Sequence, residues 1–258
     1  MNLDLKERIA FIAGSSRGIG KAISRSFLQE GARVVISGRQ KEAVDLTAGE
    51  LQNEFNHDSI ISIVGDLTDT ETIQKSLRKV AEKWGGIDVV VANIGSGTAK
   101  MGWQLNVSDW ASVFALNFFG TTTLMNEAIP YLAKRGRSSA VIVSSIAGVE
   151  GTNAPLAYSS AKAALLNYGK NLSRIVASDG IRVNVVAPGN ILFEGGSWEK
   201  HVKNRPEEVA HYIKAEVPMA RFGKPEEIAD FVVFLSSSRA SFATGSCIVV
   251  DGGQTRAI

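Results

Sequence analysis

The chain of 258 residues has one cysteine, Cys247, which excludes an internal disulfide and a cluster of thiolate metal ligands. Within Cys247-Ile248-Val249-Val250 that residue reads as a small buried apolar side chain, and its solitude fits a reducing compartment. Histidine is nearly as scarce. His57, His201 and His211 show no ligand spacing, so they read as surface residues and no metal is expected. Neither sign of charge dominates: 28 basic and 26 acidic residues give a formal charge of +2 and are spread along the chain. Without a basic stripe, nucleic acid and anionic membrane are unexpected partners, and a small molecule is expected. No apolar stretch approaches the roughly 20 residues that span a bilayer. Met1-Asn2-Leu3-Asp4-Leu5-Lys6-Glu7-Arg8 lacks the basic-then-apolar order of a signal peptide, so the expected location is cytoplasmic. Internal repeats, low-complexity tracts and long linkers are also missing.

What is present is apolar side chain, 45% of the total, enough for one compact domain over residues 1–258. Short β-branched runs recur at Arg8–Ala13, Arg33–Ser37, Ile60–Val64, Asp88–Ala92, Ala140–Ser144, Arg182–Ala187 and Ser246–Val250. Each stays apolar over several residues instead of alternating, as strands covered on both faces do. Between them lie helical spacings such as Ile19, Ile23, Phe27 and Leu28, or Ile73, Leu77, Val80 and Trp84. The alternation predicts an α/β fold, a doubly wound seven-stranded parallel sheet flanked by helices. One irregular stretch, Gly189–Pro206, carries Gly195-Gly196 and opens a predicted substrate loop over residues 189–216. Ligands of such sheets sit beyond the carboxyl ends of the strands, so chemistry is sought just after each apolar run.

After the first run comes Gly14-Ser15-Ser16-Arg17-Gly18-Ile19-Gly20, a turn opening a helix with no bulky side chain at its start. Backbone amides and the helix dipole can then approach a pyrophosphate, although a tight turn uses glycine for steric reasons too. The second run ends in Ser37-Gly38-Arg39, without the acid that an NAD site presents to the ribose 2′-hydroxyl. Arg39, with Arg17, could pair with a 2′-phosphate instead, the alternative being two solvated arginines. Asp66, in Val64-Gly65-Asp66-Leu67, is placed either to accept from an adenine amino group or to cap the helix over Asp69–Trp84.

Tyr158 and Lys162 are four residues apart on a predicted helix and share one face. An ammonium near a phenol favours the phenolate, which would lower the Tyr158 pKa toward neutrality and suit acid–base catalysis. Ser145, in Val143-Ser144-Ser145-Ile146, falls on the ligand-facing edge after the fifth run. A lone Tyr-x-x-x-Lys arises often on amphipathic helices. Several separated motifs together are more specific: Gly14-x-x-x-Gly18-x-Gly20, Ala92-Asn93-Ile94-Gly95, Asn117, Ser145, Tyr158-x-x-x-Lys162, Pro188-Gly189 and Val250-Asp251-Gly252-Gly253. With these the chain resembles, over essentially its whole length, the short-chain dehydrogenase/reductase family, and is similar to its 3-oxoacyl-acyl-carrier-protein reductases. Three departures stand out. Ala13 replaces the threonine usual before the first glycine, which puts the rigidity of that turn in doubt; Ala92-Asn93-Ile94-Gly95 replaces Asn-Asn-Ala-Gly; and Asn190-Ile191-Leu192-Phe193 shows no obvious threonine for the nicotinamide amide.

The resemblance implies a Rossmann-type domain and an oxidoreductase that moves a hydride between a nicotinamide coenzyme and a ketone or secondary alcohol. It assigns Tyr158 as general acid or base, Ser145 as the group that orients the carbonyl, Lys162 as the holder of the nicotinamide ribose and Asn117 as the anchor of a water leading to solvent. Coenzyme contacts are expected from Gly14, Ser16, Arg17, Gly18, Ile19, Gly20, Arg39, Asp66, Leu67, Asn93, Gly95, Tyr158, Lys162, Pro188, Gly189 and Ile191, the last through its backbone. The coenzyme is expected to be NADP(H) in preference to NAD(H), and the cellular NADPH pool, kept reduced, favours reduction. The substrate pocket is expected from Ser96–Trp103, Val149–Ala154 and Phe193–Trp198. In it Ser96, Trp103, Phe193 and Trp198 are candidate contacts, with the aromatics either walling the pocket or packing the loop down. The substrate is a 3-oxoacyl thioester, or alternatively a keto-sugar or secondary-metabolite ketone. Against a carrier-bound thioester, the turn after the catalytic helix is the acidic Ser178-Asp179-Gly180, partly compensated by Lys134, Arg135 and Arg137. A competing class is a coenzyme-binding sensor or scaffold without turnover. The family likeness also implies a homotetramer or homodimer, through the helices holding Asn117 and Tyr158 and through the last strand.

Overall fold

A computed structural model describes residues 2–257. Its centre is a seven-stranded sheet in the order β3-β2-β1-β4-β5-β6-β7, parallel throughout. The strands are β1 (Ile9–Ala13), β2 (Arg33–Gly38), β3 (Ile60–Val64), β4 (Val89–Ala92), β5 (Ser138–Val143), β6 (Ile181–Pro188) and β7 (Cys247–Val250). All seven fall on the predicted runs, with ends displaced by two residues or fewer. This is the doubly wound Rossmann-type domain that the alternation predicts.

Inner strands are apolar on both faces because helices cover both. Along β1, Ala10 and Ile12 face one core while Ile9, Phe11 and Ala13 face the other. The first core is closed by α1 (Gly18–Gln29), α2 (Lys41–Glu54) and α9 (Pro225–Ser236), through side chains such as Phe27, Leu51 and Val232. The second is closed by α3 (Thr70–Trp84), α5 (Gly120–Ala133) and α6 (Leu156–Val176), through Leu77, Met125 and Leu165. A side chain of this size, fully buried, contributes about 1.5–3 kcal/mol.

The edge strand behaves differently. On β7 only Ile248 and Val250 pack against the first core, and Cys247 is exposed. The expectation of a buried Cys247 is corrected. An edge strand with one covered face alternates, and Cys247 lies on the uncovered face with Val249. The irregular stretch Gly189–Pro206 is also more ordered than its glycines suggest, since α7 (Ser197–Asn204) and then α8 (Pro206–Glu216) lie within the predicted substrate loop. His57, His201 and His211 are exposed. Among the described residues no helix is long and apolar enough to cross a membrane.

Candidate active site

The glycine turn between β1 and α1 is held at both sides. Gly14 N–H donates to Ser37 Oγ at 3.1 Å, and Asn93 Nδ2 donates to Gly14 O at 2.8 Å. Ser15 Oγ bonds Ile12 O and Val35 O and accepts from Ser37 N–H. These bonds remove the doubt raised by Ala13: the tie from the turn to β4 is made by the Asn93 amide in place of a threonine hydroxyl. Gly20 has to be glycine, because a Cβ there would run into Gly14 O and lie 2.8 Å from Asn93 Nδ2. Ile19, partly buried, packs on the first core and pins the first turn of α1 to the sheet.

These residues suit a dinucleotide phosphate. α1 starts with Arg17 in extended conformation, no side-chain cap and no acid in its first turn, so its N–H groups and positive dipole end are free for an anion. Above Gly18 the space is shared with Phe193, whose ring atoms lie 2.5–2.9 Å from where a Cβ would stand. Ser16 Oγ lies against Gly38 at the end of β2, 2.7 Å from a Cβ built there, and Thr47 Oγ1 fixes Ser16 O at 2.7 Å. Arg39 follows, exposed. Arg17 is exposed too, but its Nη1 donates to Gly195 O at 3.2 Å, so this guanidinium is turned to the substrate loop. Asp66 is not a helix cap. Its Oδ1 closes a local turn with Thr68 N–H (3.0 Å) and Thr68 Oγ1 (2.8 Å), whereas Asp69 caps α3. The capping alternative fails because α3 begins at Thr70, one step past Asp69. Beside Asp66, Leu67 is buried in the second core.

The other four candidates converge at the carboxyl ends of β4 and β5. α4 (Val107–Phe114) runs into one π-helical turn, Ala115–Phe119, before α5. Asn117 sits in that turn, 1% exposed, where Oδ1 accepts from Ser96 N–H at 3.0 Å and Nδ2 donates to Val113 O at 3.1 Å. Such single π turns inside helices are rare and are frequently found at functional sites. The sequence shows no signal for it, since Ala115-Leu116-Asn117-Phe118-Phe119 reads as ordinary helix. Gly95 is forced by this neighbourhood: at φ 155° a Cβ would stand 2.6 Å from Asn117 Oδ1 and 3.2 Å from Lys162 Nζ.

Ser145 caps a short 3₁₀ turn, Ile146–Gly148, and its Oγ accepts from Ala147 N–H at 3.2 Å. Tyr158 and Lys162 lie on α6, as predicted, with Lys162 Nζ 5.8 Å from the centre of the Tyr158 ring. Lys162 is 4% exposed and donates to Val143 O at 3.1 Å, while Ser144 Oγ ties its backbone carbonyl at 2.9 Å. Burial pushes the Lys162 ammonium down to about 8. Burial also pushes the Tyr158 phenol up from its ordinary value, and the hydrogen bond with Ser145 pulls it only partly back. The expected lowering of Tyr158 by Lys162 is thus corrected. Desolvation by burial is the largest influence on the phenol, and the ammonium's hydrogen bond goes to Val143 O.

At the end of β6, Pro188 is buried, and just past it Gly189 N–H donates to Val250 O at 3.0 Å. Ile191 is buried at 6% and pairs with Gly223 as a parallel bridge, which fixes the loop after β6. Of the substrate candidates, Ser96 reaches Asn117 through its N–H and turns the chain by accepting from Thr98 N–H at 3.1 Å. The three aromatics do not form one wall, a correction to that alternative. Trp103 is 79% exposed, Phe193 lies on Gly18, and Trp198 stacks on Tyr212 at 5.5 Å and touches Phe222. A ring finds apolar partners where its own element packs, so Trp198 fastens α7 to α8.

The two turns considered for carrier docking are also corrected. Ser178-Asp179-Gly180 precedes β6, and Lys134, Arg135 and Arg137 precede β5, which puts both at the amino edge of the sheet, opposite Tyr158. There Arg135 Nε pairs with buried Asp88 at 2.8 Å, and Arg137 O accepts from Arg8. Sequence reasoning missed Ser37, Glu150, Tyr212 and Gln254. No motif flags them, because each acts through a partner distant in the chain. A cavity of about 460 Å³ lies beyond Ile191, between α9, β7 and Asp251–Gly253, and none of the four catalytic candidates lines it.

Comparison with known proteins agrees with this geometry. A family profile described as Enoyl-(Acyl carrier protein) reductase matches residues 13–255. The chain is 34% identical to the 3-oxoacyl-acyl-carrier-protein reductase FabG of Thermotoga maritima over 249 residues, which is 96% of this chain and 98% of that protein. It is 35% identical to isoepoxydon dehydrogenase patN of Penicillium expansum over 256 residues, covering 96% and 95% of the two. Among solved structures, L-sorbose reductase from Gluconobacter frateurii, complexed with NADPH and L-sorbose, superposes with a TM-score of 0.89 at 30% identity over 100% of both chains.

Proposed function

The chain belongs to the short-chain dehydrogenase/reductase family, oxidoreductases acting between alcohols and carbonyls, and from that premise we propose that it reduces a ketone with NADPH. The observation that carries this reading is the Tyr158 ring 5.8 Å from the ammonium of the buried Lys162, with Ser145 just past β5, at the strand ends where a doubly wound sheet takes its ligands. The bound coenzyme supplies the hydride. Tyr158 holds a proton on its oxygen and delivers it to the substrate oxygen, a role suited to a phenol whose pKa burial keeps high. Ser145 Oγ orients that oxygen and stabilises its developing charge. Lys162 and Asn117 hold the floor of the site, Lys162 toward the coenzyme ribose and Asn117 toward a water that relays protons.

Arg39 takes the 2′-phosphate, joined by Arg17 only if its guanidinium leaves Gly195 O, and the open end of α1 with Gly14, Ser16, Gly18 and Gly20 takes the pyrophosphate. Asp66 and Leu67 border the adenine, and Asn93, Gly95, Pro188, Gly189 and Ile191 border the ribose and nicotinamide. A free ketone of the sugar or secondary-metabolite type is favoured over a carrier-bound thioester, because within one chain neither charged turn reaches the catalytic edge. Assembly into a homotetramer would cover Cys247 and Val249 on β7 and Phe119 beside Asn117, all of them exposed in one chain. The site is proposed to work in the cytoplasm.

The test is a titration with NADPH and with NADH, followed by nicotinamide fluorescence, repeated for Arg39→Asp. Tighter NADPH binding that the substitution removes supports the coenzyme reading; equal or better NADH binding overturns it. A ketone screen with Tyr158→Phe as control then separates an enzyme from a coenzyme-binding sensor.

A further inference from the structure

The sequence after β7 doubles back over the catalytic end of the sheet. Gly252 (φ 69°) and Gly253 (φ 85°) make the turn, and the Asp251 carboxylate closes it by accepting from Gly253 N–H at 2.9 Å and Thr255 N–H at 2.6 Å. The segment that follows ties three others together. Gln254 Oε1 accepts from Asn190 Nδ2 at 2.8 Å, in the loop after β6. Gln254 Nε2 donates to Tyr212 Oη at 3.1 Å, on α8. Glu150, five residues past Ser145, accepts with Oε2 from Arg256 N–H at 2.9 Å and Ala257 N–H at 2.8 Å.

The need for such a tie follows from packing. α7 and α8 share a small core of Val209, Ile213 and Val217 with Trp198, Tyr212 and Phe222, separate from the two cores that hold the sheet. Few apolar contacts fix this pair against the catalytic residues, so polar tethers decide where it stands. A carboxamide fits the bridging position because it accepts from one side and donates to the other.

We propose that Gln254 is a positioning residue for substrate, a clasp that sets the α7–α8 wall over Tyr158 by holding Asn190 and Tyr212 at once. The inference rests on the ketone-reductase reading for where substrate lies, and its structural half is tested apart from it. With a ketone that the wild type reduces, Gln254→Leu is expected to raise KM about tenfold with kcat within about twofold, the loss of roughly one net hydrogen bond. The NADPH dissociation constant stays unchanged. Tyr212→Phe keeps the stack on Trp198 and reproduces the KM change, the double substitution adds little, and Gln254→Glu, whose carboxylate accepts from both Asn190 Nδ2 and the Tyr212 O–H, recovers most of the loss. Unchanged KM in Gln254→Leu, or a fall in kcat alone, overturns the proposal. Amide exchange on the coenzyme-free protein gives the independent readout: exchange over residues 206–216 quickens in Gln254→Leu while α6 is unaffected. Wild-type exchange there overturns the clasp whether or not any ketone is reduced, whereas a wild type inactive on every ketone with quickened exchange overturns only the functional reading. If Gln254→Leu does not fold, Gln254→Glu and Tyr212→Phe decide the same question.

Discussion

Lys162 Nζ lies 5.8 Å from the centre of the Tyr158 ring, yet its hydrogen bond goes to Val143 O. The burial of this ammonium has a consequence for stability. A lysine whose folded pKa is lowered to about 8, from 10.5, opposes folding when charged. The unfolded chain binds more protons between those values, so this contribution to stability rises with pH from about 8 to about 10.5 and is most adverse below 8. Lys162→Met is therefore expected to stabilise the protein at pH 7 by about 1–3 kcal/mol, after loss of the Val143 bond, while abolishing turnover. Thermal melts at pH 7 and pH 10 check it: the variant's advantage shrinks at the higher pH.

Tyr158→Phe keeps the ring and removes the proton. Turnover is expected to fall by about 10²–10⁴ with coenzyme affinity preserved, as single-turnover kinetics beside a binding titration would measure. Because burial raises the phenol, the reductive direction should hold its rate up to alkaline pH, whereas the oxidative direction, which needs the phenolate, should climb with pH over the same range. A reductive rate that falls already between pH 6 and 7 would remove Tyr158 from the role.

Arg39→Asp is expected to weaken NADPH by about 10–100-fold, the worth of charge-assisted bonds to a phosphate, and to leave NADH unchanged or tighter. Isothermal titration with both coenzymes measures the ratio directly.

Phe193 covers Gly18, so Phe193→Ala should free the start of α1. Coenzyme association is expected to quicken several-fold in stopped-flow fluorescence with the fold unchanged. An unaltered rate would mean that the ring leaves no barrier in solution.

Gly20→Ala tests the turn itself. A methyl group there meets Gly14 O and the Asn93 amide, neither of which can retreat without breaking the bond between them. A loss of at least about 2 kcal/mol is expected in urea unfolding, with loss of coenzyme binding.

Sequence alone determined the fold class, because β-branched runs such as Val34-Val35-Ile36 separated by helical spacings have one economical packing, helices on both faces of a parallel sheet. It likewise placed Tyr158 and Lys162 on one helix face and Gly14, Gly18 and Gly20 at one turn, since those relationships are local and follow from helix period and turn sterics. What it could not hold were relationships between residues distant in the chain. The exposed face of Cys247, the π turn at Asn117, the Gly195 contact of Arg17 and the bridge from Gln254 to Asn190 and Tyr212 each depend on what another segment brings within reach. The direction of the Tyr158 pKa belongs with them. A pattern of two residues suggests a phenol eased by an ammonium, but only the tertiary structure sets how much water is removed around the pair, and here burial pushes the phenol up.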